Sequence, residues 1–128
     1  MRCLLDTHAL LWSLDDISRF SARALDACLA PAVELHVSAA SYWEICLKIS
    51  VGKLALPSGW RRTLDRHMTA NAMRWLPITK DHCARLIDLP WHHRDPFDRL
   101  LVCQALHEGL TIVTADQHVA AYGVRTLW

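Results

Sequence analysis

Short apolar segments alternate along this chain with longer stretches of helical periodicity, and this alternation restricts the possible folds more than any other feature. The segments with strand character cover residues 3–5, 34–37, 74–78 and 110–116, with a short fifth segment at 124–127. One or two predicted helices separate consecutive strands. This pattern is typical of a parallel sheet that is built from right-handed crossovers and carries helices on both faces. We therefore predict an α/β fold with a parallel sheet of four to five strands.

The predicted helices have recognisable starts and ends. Ser38 is placed to begin the helix after the second strand, and Gly52 is placed to end it. Thr79 can cap the helix after the third strand, and a helix over residues 96–108 would stop at Gly109. The other predicted helices cover residues 7–14, 21–30 and 60–71.

The length of 128 residues predicts a single domain that covers residues 1–128. A chain of this size buries well over half of its unfolded surface around one core. A hydrophobic content of 52% with 21% charged residues is typical of a globular protein, and no linker or internal repeat divides the chain. The formal net charge of +1 is too small to attract a polyanion through an overall field, so a local basic patch would have to meet nucleic acid.

The cysteines and the N-terminus indicate where the protein resides. The five cysteines are an odd number with no Cys-X-X-Cys motif, and we interpret them as reduced, buried thiols. Asp6 and His8 interrupt the apolar N-terminus, which argues against a secretory signal. No apolar run approaches the roughly 20 residues that a membrane span needs. We expect a soluble, cytoplasmic protein.

Acidic side chains lie close to the ends of the predicted strands. Asp6 ends the first strand and Asp116 follows the fourth, so a parallel arrangement brings both to the same edge of the sheet. Glu44 lies about two turns into the helix that leaves the second strand, and Asp98 lies in the first turn of the helix that feeds the fourth. Ligands of such sheets bind outside the carboxyl ends of the strands. We therefore predict that these acids line one site.

Each acid also has a simpler structural explanation. Asp6 could cap the turn that follows it, and Asp116 could be a turn or cap residue. Glu44 precedes Lys48 by four residues, the order that favours a surface ion pair. The predicted position of all these acids at one edge of the sheet argues for a functional site. Carboxylates gathered there repel each other by up to roughly 4 kcal/mol per contacting pair at an effective dielectric of about 20, and a fold would tolerate this repulsion only with a cation present.

A group of oxygen ligands without a His or Cys cluster suits Mg²⁺ or Mn²⁺. The chemistry that such a site implies is metal-assisted hydrolysis of a phosphodiester by an activated water. Asp95 precedes Pro96 at the first helical position, which is the signature of an N-cap, so its default role is structural. Asp98 falls at the third helical position, where the helix dipole favours negative charge, and it is the preferred metal ligand of this pair.

Five motifs span nearly the whole chain: LLDTHALLW at 4–12, SAASYWE at 38–44, GKLALP at 52–57, HHRDPFDRLLVCQA at 92–105 and TIVTAD at 111–116. Together and in this order they resemble the motifs of PIN-domain ribonucleases, and most of all those of the VapC-type toxins of bacterial toxin–antitoxin modules. The resemblance implies a PIN-like three-layer α/β/α fold. Any one motif alone would be weak, but the set is specific.

The resemblance also implies roles for individual residues. The four acids of the family match Asp6, Glu44, Asp98 and Asp116, which are the expected catalytic residues. Asp6 and Asp98 are expected to be the principal metal ligands, with Asp116 as a third. Thr114 matches a small hydroxyl residue that supports the site through hydrogen bonds, and Asp95 supports it as a cap. His8 stands where the family often has Asn, and we interpret it as a histidine on a helix surface.

The activity that the resemblance implies is that of a Mg²⁺-dependent endoribonuclease, in which Mn²⁺ could replace Mg²⁺. The expected substrate is structured RNA, such as transfer or ribosomal RNA. The expected partners are a second copy of the chain in a homodimer and a small cognate antitoxin that holds the enzyme inactive, in a complex that can be of higher order.

Basic residues that could contact RNA lie on the predicted helix at 60–71 and around the acidic motif. They are Arg61, Arg62, Arg66, Arg74, Arg94 and Arg99. A solvated helix face explains the first three equally well, whereas Arg94 and Arg99 stand closer to the expected chemistry. Contacts to phosphate would make the affinity for RNA depend on salt. The six tryptophans could stack on unpaired bases, but most are expected to lie in the core.

Other interpretations compete with a metal-dependent nuclease. A zinc site at His92 and His93 lacks further ligands at matching spacing. A phosphotransfer enzyme or receiver domain would need a second acid beside Asp6 and a phosphoacceptor Asp after the third strand, which instead ends in Pro-Ile-Thr. A catalytically silent PIN-like module that binds RNA or a protein is the main alternative, and the presence of all four acids argues against it.

Overall fold

The computed structural model describes residues 1–128 and contains one five-stranded sheet. The strands are β1 (Arg2–Leu5), β2 (Glu34–Ser38), β3 (Arg74–Leu76), β4 (Thr111–Val113) and β5 (Thr126–Leu127). They lie in the order β3-β2-β1-β4-β5, and every neighbouring pair is parallel. The α/β fold that the alternating pattern predicts is confirmed.

Helices connect the strands and form the outer layers. They are α1 (Thr7–Asp15), α2 (Ala22–Leu29), α3 (Ala39–Ser50), α4 (Trp60–Ala70), α5 (Lys80–Arg85), α6 (Pro96–Glu108) and α7 (Gln117–Ala120), with a 3₁₀ turn at Ile17–Arg19. None of these helices combines the length and the apolar character that a membrane crossing would require.

The central strand β1 contributes side chains to both halves of the core. Successive residues of a strand point to opposite faces of the sheet. Leu4 accordingly packs in the cluster that contains Leu101 of α6, whereas Cys3 and Leu5 pack in the cluster that contains Leu64 of α4. Because β1 is buried on both faces, the residue at its carboxyl end is held in a fixed position at the edge of the sheet.

The predicted helix ends are present in the structure. The Ser38 hydroxyl accepts the N–H of Ala40 at 3.0 Å, and the Thr79 hydroxyl accepts the N–H of His82 at 3.2 Å. Gly109 ends α6 with a φ of +69°, a left-handed conformation that glycine adopts without the steric cost of a Cβ. These ends set where each helix meets the edge of the sheet.

The third, fourth and fifth strands are shorter than the sequence predicts, and β4 covers only Thr111–Val113 of the predicted 110–116. β3 ends at Leu76, because Pro77 has no N–H to donate to a neighbouring strand. The Pro77 carbonyl instead accepts a hydrogen bond from Gln104 Nε2 at 3.3 Å. Gly123, with a φ of +76°, belongs to the turn after α7, so β5 begins only at Thr126.

The tryptophans lie outside the buried core, and the prediction that most of them are core residues is wrong. Trp43, Trp75 and Trp91 are 57%, 44% and 76% exposed. Trp12 and Trp128 are half-buried and pack against each other with ring centroids 5.5 Å apart. The buried core consists mainly of smaller aliphatic side chains, whereas an indole is large enough that part of it usually stays at the surface.

The cysteines are all free thiols, but they are not all buried. Cys3 and Cys103 lie in the core, Cys28 and Cys46 are half-buried, and Cys83 is exposed on α5. The expectation of buried thiols is therefore wrong for Cys83, because α5 covers the sheet with only one of its faces.

Candidate active site

Asp6 lies directly after β1 and begins α1. Its backbone N–H donates to the Val113 carbonyl at the end of β4 at 3.1 Å, and its carboxylate accepts the N–H of Ala9 at 2.7 Å. Asp6 is therefore the N-cap of α1 and is also located at the carboxyl edge of the sheet. Burial raises the pKa of Asp6, while hydrogen bonds from Thr114 and the Ala9 N–H oppose this rise.

Glu44 lies on α3 and is tied to the first residue of α1. The Thr7 hydroxyl donates to Glu44 Oε1 at 2.6 Å, and Lys48 Nζ lies 2.5 Å from Glu44 Oε2. The ion pair with Lys48 is thus present, but Glu44 is only 4% exposed and is not a surface residue. The hydrogen bond to Glu44 raises the pKa of Lys48, and the nearby carboxylates of Asp95 and Asp98 contribute to the rise.

Asp95 and Asp98 occupy the first turn of α6. One oxygen of Asp95 accepts the N–H groups of Phe97 and Asp98 at 2.9 and 3.0 Å. Asp95 is therefore the N-cap of α6, with Pro96 at the first helical position. Because the cap holds the backbone of Asp98 directly, it determines where the Asp98 carboxylate enters the site.

Asp116 follows β4 and begins α7. The Thr114 hydroxyl accepts the N–H of Asp116 at 3.0 Å, and the Asp116 carboxylate accepts the N–H of His118 at 2.9 Å. Burial alone would raise the pKa of Asp116, but hydrogen bonds from the His118 N–H and ring, together with the nearby His93, outweigh it and hold this pKa below its usual range. Asp116 therefore stays ionised beside the other acids.

Asp98, like Asp6, has a raised pKa. Burial, followed by the charges of the neighbouring acids, raises its pKa from 3.8 to about 7. The acids that contribute are Asp95, Asp6, Glu44 and Asp116. The other three predicted catalytic acids thus lie close enough to Asp98 to affect it electrostatically. Lys48 pairs with Glu44, whereas no lysine or arginine forms an ion pair with Asp6, Asp98 or Asp116.

Ligand atoms from His93, Asp98 and Asp116 all lie within 4.8 Å of one another. Asp6 is not in this group, although its charge reaches Asp98. Carboxylate oxygens are the donors that Mg²⁺ and Mn²⁺ prefer, and a cation would relieve the repulsion that raises the pKa of Asp98. The donor set therefore fits a divalent metal ion, with Asp98 and Asp116 in the best positions.

Sequence reasoning missed two residues of this site. His93 Nε2 lies 3.6 Å from Asp98 Oδ2, although the adjacent pair of histidines gave no ligand spacing to indicate this position. Lys48 was visible in the sequence only as a surface ion-pair partner of Glu44. The four-residue spacing was the available signal, but only the burial of Glu44 shows that the ammonium belongs to the site.

Arg99 does not fit the expectation of a contact with RNA. It is 3% exposed, and its guanidinium donates to the carbonyls of Leu89 and Pro90 and to the Tyr122 hydroxyl. The guanidinium also lies 3.7 Å from the centroid of the Trp91 ring. The guanidinium is therefore occupied by contacts with the segment before α6 and with Tyr122, so the role of Arg99 is structural.

The other candidate arginines are accessible. Arg94 is exposed immediately before the α6 cap. Arg61 and Arg62 line an open depression of about 670 Å³ together with Tyr42. His8 is exposed on α1 with its ring stacked on Trp12 at 5.7 Å, which confirms its interpretation as a helix-surface histidine.

A second group with possible ligand atoms consists of His82, His107 and Glu108. The His82 Nδ1 accepts the N–H of Thr79 at 3.1 Å, so its proton lies on Nε2, which faces Glu108 Oε1 at 2.8 Å. The ring therefore has no free lone pair for a metal, and this pair serves to join α5 to α6.

The parallel sheet and the carboxylates at its edge define a class of α/β protein whose strand ends present an acidic site for a divalent cation. Residues 3–124 match the family model for the PIN domain. The chain belongs to the PIN-domain family, as the sequence motifs predict.

Relatives of this chain include Ribonuclease VapC22 of Mycobacterium tuberculosis (strain ATCC 25618 / H37Rv). It is 31% identical over 123 residues, which cover 93% of this chain and 90% of that protein. The fold is similar to that in the crystal structure of VapBC2 from Rickettsia felis bound to a DNA fragment from their promoter, with a TM-score of 0.76, 14% identity, and 98% and 97% of the two chains covered.

Two further structures share the fold. The structure of VapBC-1 from nontypeable Haemophilus influenzae has a TM-score of 0.66 at 15% identity and covers 98% of this chain and 96% of that chain. FitAcB from Neisseria gonorrhoeae has a TM-score of 0.63 at 19% identity and covers 97% and 95%.

Proposed function

We propose that this protein is a Mg²⁺-dependent endoribonuclease and the toxin of a bacterial toxin–antitoxin pair. The observation that carries the proposal is the cluster of His93, Asp98 and Asp116, whose ligand atoms lie within 4.8 Å of one another and close to the charges of Asp6 and Glu44. Membership of the PIN-domain family and similarity to a protein named as a ribonuclease support hydrolysis of RNA as the reaction.

The acids have separate tasks in this proposal. Asp98 and Asp116 hold the metal, with Asp6 as the third ligand from the end of β1. Glu44 is held by Thr7 and Lys48, so it can orient a water or accept its proton close to the scissile phosphate. Mn²⁺ would suit the same oxygen donors. A bound metal supplies positive charge that stabilises the transition state and activates the attacking water.

Positive charge for the RNA backbone comes from local residues. Arg94 stands before the α6 cap, and Arg61 and Arg62 line a depression beside Tyr42, whose ring lies 5.6 Å from that of Trp75. Aromatic rings beside arginines can stack on unpaired bases, which suits loops of structured RNA such as transfer or ribosomal RNA.

The proposed partners are an antitoxin and a second copy of the chain. Structures with the same fold are of toxin–antitoxin complexes, among them VapBC-1 and VapBC2. Exposed apolar side chains such as Trp43, Leu47 and Val51 on or next to α3 give the surface that such contacts need. We propose a homodimer that joins the antitoxin in a larger complex in the cytoplasm.

The test is cleavage of an RNA pool by purified protein that is free of antitoxin. Asp98→Asn and Asp6→Asn should each lower the cleavage rate by at least about 100-fold with Mg²⁺ present, since each removes a charge that holds the metal. EDTA should abolish cleavage by the wild-type protein. Asp26→Asn, an exposed acid on α2, is the matched control and should cleave normally.

Full activity in EDTA, or in either variant, would refute the metal mechanism. A well-folded wild-type protein that cleaves no RNA would favour the alternative, a catalytically silent PIN-like module that binds RNA or a protein. Sequencing of the cleaved ends would identify the RNA and the bond that is cut.

A further inference from the structure

The Tyr122 hydroxyl is the meeting point of several hydrogen bonds next to the acidic site. It accepts the backbone N–H groups of His92 and His93 at 3.3 and 3.2 Å and the Arg99 Nη1 at 3.0 Å. The same oxygen lies 2.8 Å from His93 Nδ1. Tyr122 thus joins the segment after α7 to the loop that leads into α6.

Counting donors and acceptors assigns the proton of the His93 ring. A phenol oxygen has two lone pairs and one hydrogen, and three N–H donors already face it. Its own proton therefore points to an acceptor, and His93 Nδ1 at 2.8 Å is closer than the His93 carbonyl at 3.4 Å. Because Nδ1 accepts this proton, the neutral ring carries its hydrogen on Nε2.

His93 Nε2 is buried and has no hydrogen-bond partner. Leaving a buried N–H without an acceptor is costly, so such groups are rarely unpaired. Asp98 Oδ2 lies 3.6 Å away, just beyond hydrogen-bonding distance, and a movement of a few tenths of an ångström would close the contact.

We propose that His93 is a positioning residue for Asp98. Held by Tyr122, its Nε2–H donates to Oδ2 of Asp98 and turns the other carboxylate oxygen toward the metal. The hydrogen on Nε2 also prevents His93 from serving as a ligand itself. This inference rests on the proposed function, because it concerns the metal that Asp98 would hold.

The test is calorimetric titration of Mg²⁺ and Mn²⁺ into metal-free protein at fixed pH. His93→Ala should weaken Mg²⁺ binding by about 10-fold, the usual effect of removing a group that orients a ligand. His93→Gln places an amide N–H near the position of Nε2 and should stay within about threefold of wild type. The Mg²⁺ affinity of Tyr122→Phe should lie between those of the two His93 variants. The remote His107→Ala variant should bind Mg²⁺ as tightly as wild type.

Thermal unfolding of the metal-free variants separates these effects from loss of fold. A His93→Ala protein that binds Mg²⁺ as tightly as wild type would overturn the positioning role. The role is also overturned if His93→Gln is as weak as His93→Ala and both lose more Mn²⁺ than Mg²⁺ affinity, because that pattern marks a direct nitrogen ligand. If wild type binds no Mg²⁺, it is the proposed function that fails.

Discussion

Three of the acids at the edge of the sheet contact the backbone or a neighbour as well as facing the site. Asp6 and Asp116 cap helices with their carboxylates, and Glu44 accepts a hydrogen bond from the Thr7 hydroxyl. Asp98 is the exception, because its carboxylate has no hydrogen-bond donor within normal distance. The charges of the neighbouring acids act on it without a hydrogen bond to oppose them. Burial and the charges of the neighbouring acids together raise its pKa to about 7.

The raised pKa of Asp98 predicts how stability depends on pH. Between pH 3.8 and about 7 the folded metal-free protein binds this proton more tightly than the unfolded chain, so the free energy of unfolding falls as pH rises through this window. Asp98→Asn removes the effect and should stabilise the metal-free protein at pH 8 by on the order of 2 kcal/mol. The gain should disappear near pH 4.

Urea unfolding in EDTA at the two pH values measures this difference. Asp26→Asn, an exposed acid on α2, is the control, and its stability should depend on pH in the same way as that of wild type. An Asp98→Asn protein that is less stable than wild type at pH 8 would show that another cation or donor neutralises Asp98.

At the scale of elements, the start of α6 fixes the geometry of the site. Asp95, Pro96 and Asp98 form its first turn, and the Arg99 guanidinium on the next turn holds the preceding loop through two carbonyls. The helix and the loop are thus fixed by one short stretch of sequence. The loop carries His93, so both partners of the proposed contact with Asp98 depend on this turn.

Removal of the α6 cap should affect stability and metal binding together. Asp95→Ala leaves the N–H groups of Phe97 and Asp98 without their acceptor, which should lower the free energy of unfolding by about 1 kcal/mol. Mg²⁺ affinity should fall as well, because the backbone of Asp98 is released. Asp95→Ser also removes the charge but keeps a cap. Its free energy of unfolding and its Mg²⁺ affinity should both be close to those of wild type. Equal stability of the Ala and Ser variants would contradict this role.

At the scale of the molecule, a net charge of +1 means that the proposed affinity for RNA must come from local patches. The Arg61→Ala and Arg62→Ala double variant should weaken RNA binding at low salt and lower the slope of log affinity against log salt by about 1 to 2. Arg125→Ala, at the opposite edge of the sheet, is the matched control. Filter binding at several salt concentrations measures the slopes. Identical slopes for wild type and the double variant would show that RNA does not contact Arg61 and Arg62.

The sequence was sufficient for the fold and the acids because both follow from local rules. Strand ends, helix caps and the carboxyl edge of a parallel sheet locate Asp6, Asp95 and Asp98 without any long-range information. His93 could not be found in this way, since its environment depends on Tyr122, 29 positions further along the chain. Arg99 was misassigned because charge alone does not show whether a guanidinium faces solvent or buried carbonyls.

The double use of Asp6 has a consequence for genetic selection. Asparagine caps a helix about as well as aspartate, so Asp6→Asn should remove a proposed metal ligand and leave α1 intact. If the protein is the toxin that we propose, cells that survive its expression should often contain the Asp6→Asn variant, and this variant should be folded and abundant. If the protein binds the antitoxin that we propose, this variant would still occupy it and would release any active copy in the same cell.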